Sequence, residues 1–386
     1  MGKIFKIIIL VFTIIFFMNL KISSAEEKIK IGILVPMTGN NKELGQSIVK
    51  ATKLALKDIN TDKIEIYPKD TGSDPSLTLK AAKEFNEMGI QIVIGPIFYK
   101  NLIYLNEVEN IIFLSLTNKT IDLPSNVISS GVNATSQLNA IKKFIKLNEI
   151  NKTIFLTPKL DYELEVKKAI KKSKIKIDKH HIYDTEPTKL TKQIEKITNY
   201  KVRKQNVLDE IKRIEKSDLS ESSKEIRIEK LKKRYTIGNI NFDAVIISDF
   251  SESLKSVVTS LLYTDVLPEK KYIITFNQWF DESLLNEKTL QPIYYPSINK
   301  KNLENFEKKY SKEFNNKPNH LGLLSYDLIG LIYYLSLQND VFENEKLFKK
   351  KTTFKGKVGI FDIQNNKINY RLNFYKIEES KIKEIF

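Results

Sequence analysis

Short apolar runs and amphipathic stretches take turns along the chain. Ile31-Gly32-Ile33-Leu34-Val35 is apolar and stops at Pro36; Leu44, Ile48, Ala51, Leu54, Ala55 and Ile59 then recur at spacings of three and four. The first run reads as a strand, the second as a helix with one buried face. Ile64-Glu65-Ile66-Tyr67 alternates as a strand and leads into Asp70-Thr71-Gly72. Asp74-Pro75 opens the next helix, with Asp as N-cap and Pro in the first turn, and Gly89 closes it. Residues 90–94, 111–114, 153–156, 242–247 and 272–276 are further apolar runs, and residues 137–147 and 254–262 read as helices. Unbroken Ile/Val/Phe runs alternating with helices predict parallel sheets covered on both faces, the doubly wound α/β class. Residues 323–332 are apolar nearly all round, which predicts a buried helix.

Two regions depart from that alternation. Residues 189–235 carry no strand signal and many charges. Val207, Leu208, Ile211 and Ile214 mark one apolar stripe there, and Ile226, Ile228 and Leu231 another, with Ser222 and Glu225 spaced as a capping box. A helical hairpin inserted in the α/β frame is expected. After residue 353, the runs Phe354–Gly359, Phe361–Ile363 and Tyr370–Tyr375 read as antiparallel hairpins with a turn at Asn365-Asn366.

Composition narrows the chemistry. The 386 residues include 63 Lys+Arg against 47 Asp+Glu, a formal charge of +16. Only Arg203, Arg213, Arg227, Arg234 and Arg371 are arginines, the residue type that reads phosphates and bases bidentately. The lysines are scattered among acidic residues, so no nucleic-acid partner is expected. The absence of cysteine excludes disulfides, thiolate metal sites, thiol catalysis and a lipid anchor on Cys. Three histidines, His180, His181 and His320, leave little for a metal centre, and neither metal nor cofactor is expected. No nucleophile elbow, dinucleotide-binding, P-loop or zinc-protease motif occurs, so the protein is expected not to be an enzyme. His180 and His181 sit in a Lys-rich run, Lys172 to Lys179, that reads as an exposed strand, and His320 is expected to cap a helix or face solvent.

The first 25 residues read as an address. Lys3 and Lys6 precede an apolar run from Ile7 to Met18, and Ser23-Ser24-Ala25 supplies small residues before a cut after Ala25. That is the plan of a secretory signal peptide, too short for a comfortable membrane span. An exported chain located in the periplasm, with no later span and a charge of +13 after cleavage, is the expectation.

The strand Ile31–Gly39 running into a helix with Gly45, Ala51 and Ala55, the buried helix with Tyr326-Asp327, and Phe354-x-Gly356-x-x-Gly359 together resemble the type I periplasmic-binding fold of the Leu/Ile/Val-binding proteins. Asp70-Thr71-Gly72, Gly95-Pro96-Ile97-Phe98, Leu114-Ser115-Leu116-Thr117-Asn118, the charged insert closing with Thr236-Ile237-Gly238, and Gln278-Trp279-Phe280-Asp281 are similar to one branch, the alphaproteobacterial penicillin-binding protein activators. The resemblance implies two doubly wound parallel-sheet lobes joined by three hinge crossovers. Residues 26–132 and 296–352 are assigned to lobe 1, residues 133–295 and 353–386 to lobe 2, with the insert 189–235 in lobe 2.

Ligands of such sheets gather at the carboxyl ends of the strands. The candidate cleft residues are therefore Thr38, Asp70, Phe98, Tyr99, Ser115, Thr117 and Asn118 in lobe 1, and Thr157, Tyr162, Asp249, Asn277 and Trp279 in lobe 2. Amino-acid receptors of the superfamily place small hydroxyl and amide donors where this chain has Ile97-Phe98-Tyr99 and Leu116-Thr117-Asn118, which counts against an α-amino-acid ligand. The resemblance implies a non-catalytic regulator acting on a penicillin-binding protein. The alternative is a receptor delivering a small solute, of branched-chain amino acid type, to an ABC permease.

Overall fold

The computed structural model describes residues 28–338, 351–357, 359–364 and 367–386, together with Gly2 and Phe348. The segment read as a signal peptide and the turn at Asn365-Asn366 lie outside the described residues, Gly2 apart.

Two sheets carry the fold. The first contains β1 (Ile29–Val35), β2 (Ile64–Asp70), β3 (Ile92–Ile94), β4 (Ile112–Ser115) and β5 (Val127–Ser129), in the order β2-β1-β3-β4-β5. Every pairing in it is parallel. Both faces of β1 are covered because Ile31, Ile33 and Val35 join one core while Leu34 joins another. Helices α1 (Lys42–Ile59) and α2 (Pro75–Glu87) lie on opposite faces, with Ile48 and Leu54 in the first core and Phe85 in the second. Asp74 caps α2, accepting hydrogen bonds from the backbone N–H of Ser76 and Leu77.

The chain then crosses to α3 (Ala134–Leu147) and the second sheet: β6 (Thr153–Pro158), β7 (Lys179–Tyr183), β8 (Ala244–Ile247), β9 (Tyr272–Thr275) and β10 (Ile293–Ser297). The order is β15-β14-β10-β9-β8-β6-β7, where β14 (Asn373–Glu378) and β15 (Lys381–Glu384) add antiparallel strands at one edge. Helices α3 and α4 (Glu163–Ser173) share a core with Phe155 and Ile246. Helices α5 (Pro187–Ile197) and α8 (Ser251–Tyr263) cover the opposite face, over Ile154 and Val245.

The charged segment folds as α5, α6 (Tyr200–Glu215) and α7 (Glu221–Lys232). Val207 and Ile214 of the first apolar stripe are buried; Leu208 is exposed. The second stripe is not a core face: α7 has no buried residue, and Ile226 is exposed. Nor does Ser222 cap it. The helix starts at Glu221 after Ser220, whose hydroxyl donates to that of Ser223.

After α9 (Ser283–Asn286), α10 (Lys300–Phe314) and α11 (His320–Gln338) return to the first sheet. Helix α11 has 19 residues and a mean hydropathy of 1.3, enough by length and composition to cross a membrane. Here it packs along α1, where a Cβ on Gly322 would sit 3.4 Å from the Cβ of Ala51. Strands β11 (Thr352–Lys355), β12 (Ile360–Gln364) and β13 (Lys367–Arg371) form a third, antiparallel sheet. The run Tyr370–Tyr375 is thus divided at Leu372 between two sheets rather than forming one strand. The Tyr326-Asp327 and Gly356 motifs meet in space. The Asp327 carboxylate accepts the backbone N–H of Lys357 at 2.7 Å, so close that a Cβ on Gly356 would lie 2.1 Å from it.

Gly45 lets α1 approach the loop after β1: a Cβ there would stand 1.7 Å from the Pro36 carbonyl oxygen. Gly45→Ala is expected to destabilise the fold by about 1–3 kcal/mol or more through overpacking, read from the chemical-denaturation midpoint. An unchanged midpoint would show that the loop yields at no cost.

Candidate functional site

The carboxyl ends of both parallel sheets open on a cleft between the lobes. A cavity of about 320 Å³ lies there, lined by Phe98, Tyr99, Thr117, Asn118 and Lys119 from the loops after β3 and β4, and by Gly131, Val132 and Gln137 at the crossover into α3. Phe250, Asn277 and Trp279 come from the loops after β8 and β9, and His320, Leu321 and Leu324 from α11. Of the residues singled out from sequence, Phe98, Tyr99, Thr117, Asn118, Asn277 and Trp279 share this cavity.

The others have internal partners. Asp70 accepts from the backbone N–H of Met37 at 2.6 Å, from Gly72 at 2.8 Å and from the Thr38 hydroxyl at 2.5 Å, so Thr38 and Asp70 clasp their own turn. Ser115 is buried and donates to the Pro96 carbonyl at 2.7 Å. Thr157 is buried and within 2.9 Å of His180 Nε2. Asp249 is buried and accepts from the hydroxyls of Tyr183 and Ser253. Tyr162 donates to the Ser248 carbonyl at 2.8 Å, and burial, with the Asp249 charge second, raises its pKa.

The Asn277-to-Phe280 turn is the most determined part of the wall. Trp279 and Phe280 both adopt left-handed backbone, with φ of 49° and 61°. Non-glycine residues held there cost about 1–3 kcal/mol each unless their surroundings fix them. The surroundings do so. The Gln137 side-chain oxygen accepts the Asn277 N–H at 2.7 Å, and Asn277 Oδ1 accepts from Trp279 N at 2.9 Å and from the Ser297 hydroxyl at 2.8 Å. Asn277 Nδ2 is buried and has no hydrogen-bond partner. A buried unpaired donor costs roughly 1–3 kcal/mol, so this atom is a standing demand for an acceptor.

Two contacts bridge the lobes. Thr120, after β4, donates from its backbone N–H (3.0 and 3.1 Å) and its hydroxyl (2.5 Å) to the buried Glu165 carboxylate on α4. Trp279 stacks on His320 with ring centroids 4.3 Å apart and planes 24° apart. His320 therefore neither caps α11 from solvent nor faces it freely; it is half-buried under the indole, and burial pushes its pKa down to about 4. Lys119 lies over the Tyr99 ring, 4.2 Å from its centroid. Lys119, Gln137, Phe250 and His320 are not among the candidates: Gln137 and His320 lie on helices rather than in the loops directly after strands, Phe250 follows the polar Asp249 that is chosen there, and a lysine in a Lys-rich chain carries no signal. Among the described residues, no group of three His, Cys, Asp or Glu side chains is placed to hold a metal ion.

A periplasmic binding protein family model matches residues 28–200. No curated protein sequence matches the chain. Several solved structures are similar. The C-domain of LpoA from Haemophilus influenzae, a regulator of PBP1A, is 14% identical with a TM-score of 0.61, over 92% of this chain and 100% of that one. An ABC transporter substrate-binding protein from Desulfitobacterium hafniense, in complex with Leu, is 13% identical with a TM-score of 0.61, over 93% and 100%. The branched-chain amino acid transporter substrate binding protein LivJ from Streptococcus pneumoniae, in complex with isoleucine, is 17% identical with a TM-score of 0.53, over 92% and 98%. The chain has the type I periplasmic-binding-protein fold. At such identities the likeness speaks for architecture, and it includes transporter substrate-binding proteins and a regulator of PBP1A alike.

Two outcomes test the bridges. The folded pKa of His320, about 4, lies below the ordinary 6.5. The unfolded chain therefore binds the proton first, and stability is lost as pH falls from about 6.5 through 4. The loss is on the order of 3 kcal/mol at most, less where solvent screens the ring. Denaturant titrations at pH 7 and pH 4 should show a smaller difference in His320→Phe than in the parent; equal differences would remove His320 as the cause. Glu165→Ala removes the acceptor of Thr120, and a rise in radius of gyration by solution scattering is expected. An unchanged radius would mean that the bridge does not hold the lobes.

Proposed function

We propose that this protein is a non-catalytic binding protein of the periplasm that regulates peptidoglycan synthesis by contact with a penicillin-binding protein. The observation that carries this reading is the pair of bridges across the cleft. In a transport receptor the solute supplies the difference in free energy between open and closed lobes. Here Thr120 with Glu165, and Trp279 with His320, supply it from the chain itself. A closed form stabilised internally presents a constant outer surface, which suits a protein that acts by touching a partner. The aromatic residues Phe98 and Tyr99, at a position where amino-acid receptors use small donors, support the same reading, as does the likeness to the LpoA C-domain.

A second reading rests on the cavity. About 320 Å³ lies at the small end of ligand pockets, and Asn277 Nδ2 with Lys119 offers donors to a solute acceptor. That favours a receptor delivering an amino-acid-sized solute to an ABC permease.

One experiment separates them. The chain from residue 26 is screened by thermal shift against the twenty amino acids and assayed for binding to the bifunctional penicillin-binding proteins of its own genome. Flat thermal responses with saturable binding to a synthase are expected. A branched-chain amino acid that raises the melting temperature by several degrees, without synthase binding, would overturn the regulator in favour of the receptor, since only native-state binding stabilises.

A further inference from the structure

We propose a second binding site, at the other end of the second sheet from the cleft, that docks an acidic peptide segment of a protein partner. A concavity of about 980 Å³ lies where the chain returns from the helical insert to the amino ends of β6, β8 and β9. Six basic side chains line it against two carboxylates, Asp243 and Asp265. Both carboxylates are engaged. Asp265 accepts from the Thr236 hydroxyl at 2.5 Å and lies 3.6 Å from Arg203, while Asp243 accepts the Lys152 N–H at 3.0 Å and lies 3.7 Å from Lys271.

Lys233, Arg234 and Lys270 are different. All three are exposed, and no carboxylate among the described residues lies within ion-pair distance of them. Some cations elsewhere on the insert are paired locally, as in Arg213 with Glu210 at 2.6 Å and Lys224 with Glu221 at 2.9 Å; what sets these three apart is that they gather around one concavity. After Glu229 the chain carries Lys230, Lys232, Lys233 and Arg234 with no further carboxylate until Asp243. Unpaired like charges around one concavity raise its potential and attract an anionic partner.

The site is built rather than a chance cluster. Arg203, only 5% exposed, donates to the Thr236 hydroxyl at 2.6 Å and to the Thr264 carbonyl at 3.0 Å, and its Nε is buried without a partner. Its own carbonyl accepts the Ile237 N–H at 3.0 Å, so the wall of the concavity is pinned to α6. Beside the free cations stands Tyr235, 78% exposed. Tyrosine and arginine are residue types enriched in protein-binding hot spots, and a cavity this size exceeds what a single inorganic anion would fill. An acidic peptide fits both features. None of these residues lines the cleft.

The test uses the chain from residue 26 and a fluorescein-labelled deca-glutamate peptide, followed by anisotropy at 50 and 150 mM salt. Saturable binding is expected, weakened at least tenfold in the triple variant Lys233→Glu, Arg234→Glu, Lys270→Glu. The control variant Lys168→Glu, Lys171→Glu, Lys176→Glu makes the same change in net charge on exposed positions of another face, and should change affinity less than threefold. Tyr235→Ala should weaken binding severalfold and Tyr235→Phe restore it. Equal losses in both triple variants would reduce the effect to net charge and overturn the proposal. So would absence of saturable binding, a flat response to Tyr235→Ala, or tighter binding of a heparin oligosaccharide or a single-stranded DNA decamer than of the peptide. Melting temperatures of all variants, whose substituted positions are exposed, check that each is folded.

Discussion

Tyr370 is the point at which the separate parts of this chain are tied together. Its phenol donates to the Ser130 carbonyl at 2.7 Å, and its backbone N–H donates to the Ser136 hydroxyl at 2.9 Å. Asn133, between those two serines, accepts the Ser136 N–H at 2.9 Å and donates to the Ile368 carbonyl at 2.8 Å. The crossing from β5 to α3 is thereby clamped to β13, which then passes through Leu372 into β14 of the second sheet. Buried hydroxyls and amides are costly unless paired, and here each pairs with backbone of a distant segment. The clamp thus fixes where one lobe ends and the other begins. One core cluster runs unbroken across it, from Ile33 and Leu328 on one side to Phe144 and Phe374 on the other.

That constraint decides what the cleft can offer. With the crossings held, the carboxyl ends of both sheets face each other, and the loops after their strands must fill the space between. Most polar groups in those loops are consumed by the loops themselves: Asp70 in its turn, Ser115 on Pro96, Asp249 on Tyr183 and Ser253. What remains facing the cavity is a wall of aromatic and aliphatic side chains, with Thr117, Asn118, Lys119, Gln137, His320 and the unsatisfied amide of Asn277 as its polar content. Hydrophobic walls with few polar groups favour shape over charge in selecting an occupant.

The alternation of strand and helix was legible because parallel strands buried on both faces must be apolar throughout, as Ile31–Val35 and Ala244–Ile247 are. Three-residue β5 and the Pro-containing β10 left no such run; their pairing is imposed by neighbours rather than by their own composition. The division of Tyr370–Tyr375 between two sheets was hidden for the same reason, since continuous β-propensity says nothing about which partner each residue takes. In the cleft, residues directly after strands could be named from topology, but not whether each would face the cavity or cap its own loop. The bridging pairs Thr120–Glu165 and Trp279–His320 join positions 45 and 41 apart in sequence, and nothing local marks either partner.

The helical insert obeys a different logic. Its first helix, α5, packs into the core through Leu190 and Ile194, but α6 buries only a few side chains and α7 none, so hydrophobic packing alone does not position its far end. Arg203 does. Burying a guanidinium carries a desolvation penalty of several kcal/mol, and a buried ion pair is weak evidence for net stability. Its value here is geometric: the fork reaches the Thr264 carbonyl after α8 and the Thr236 hydroxyl at the end of the insert, while Asp265 balances its charge. A lysine in its place would reach one of these groups and not all, because only the planar fork presents several donors in fixed directions. That an otherwise arginine-poor chain places one of its five arginines there follows from this requirement. Beyond α5 the insert is free to be polar over most of its surface because a buried cation, more than a core, fixes where it returns to the sheet.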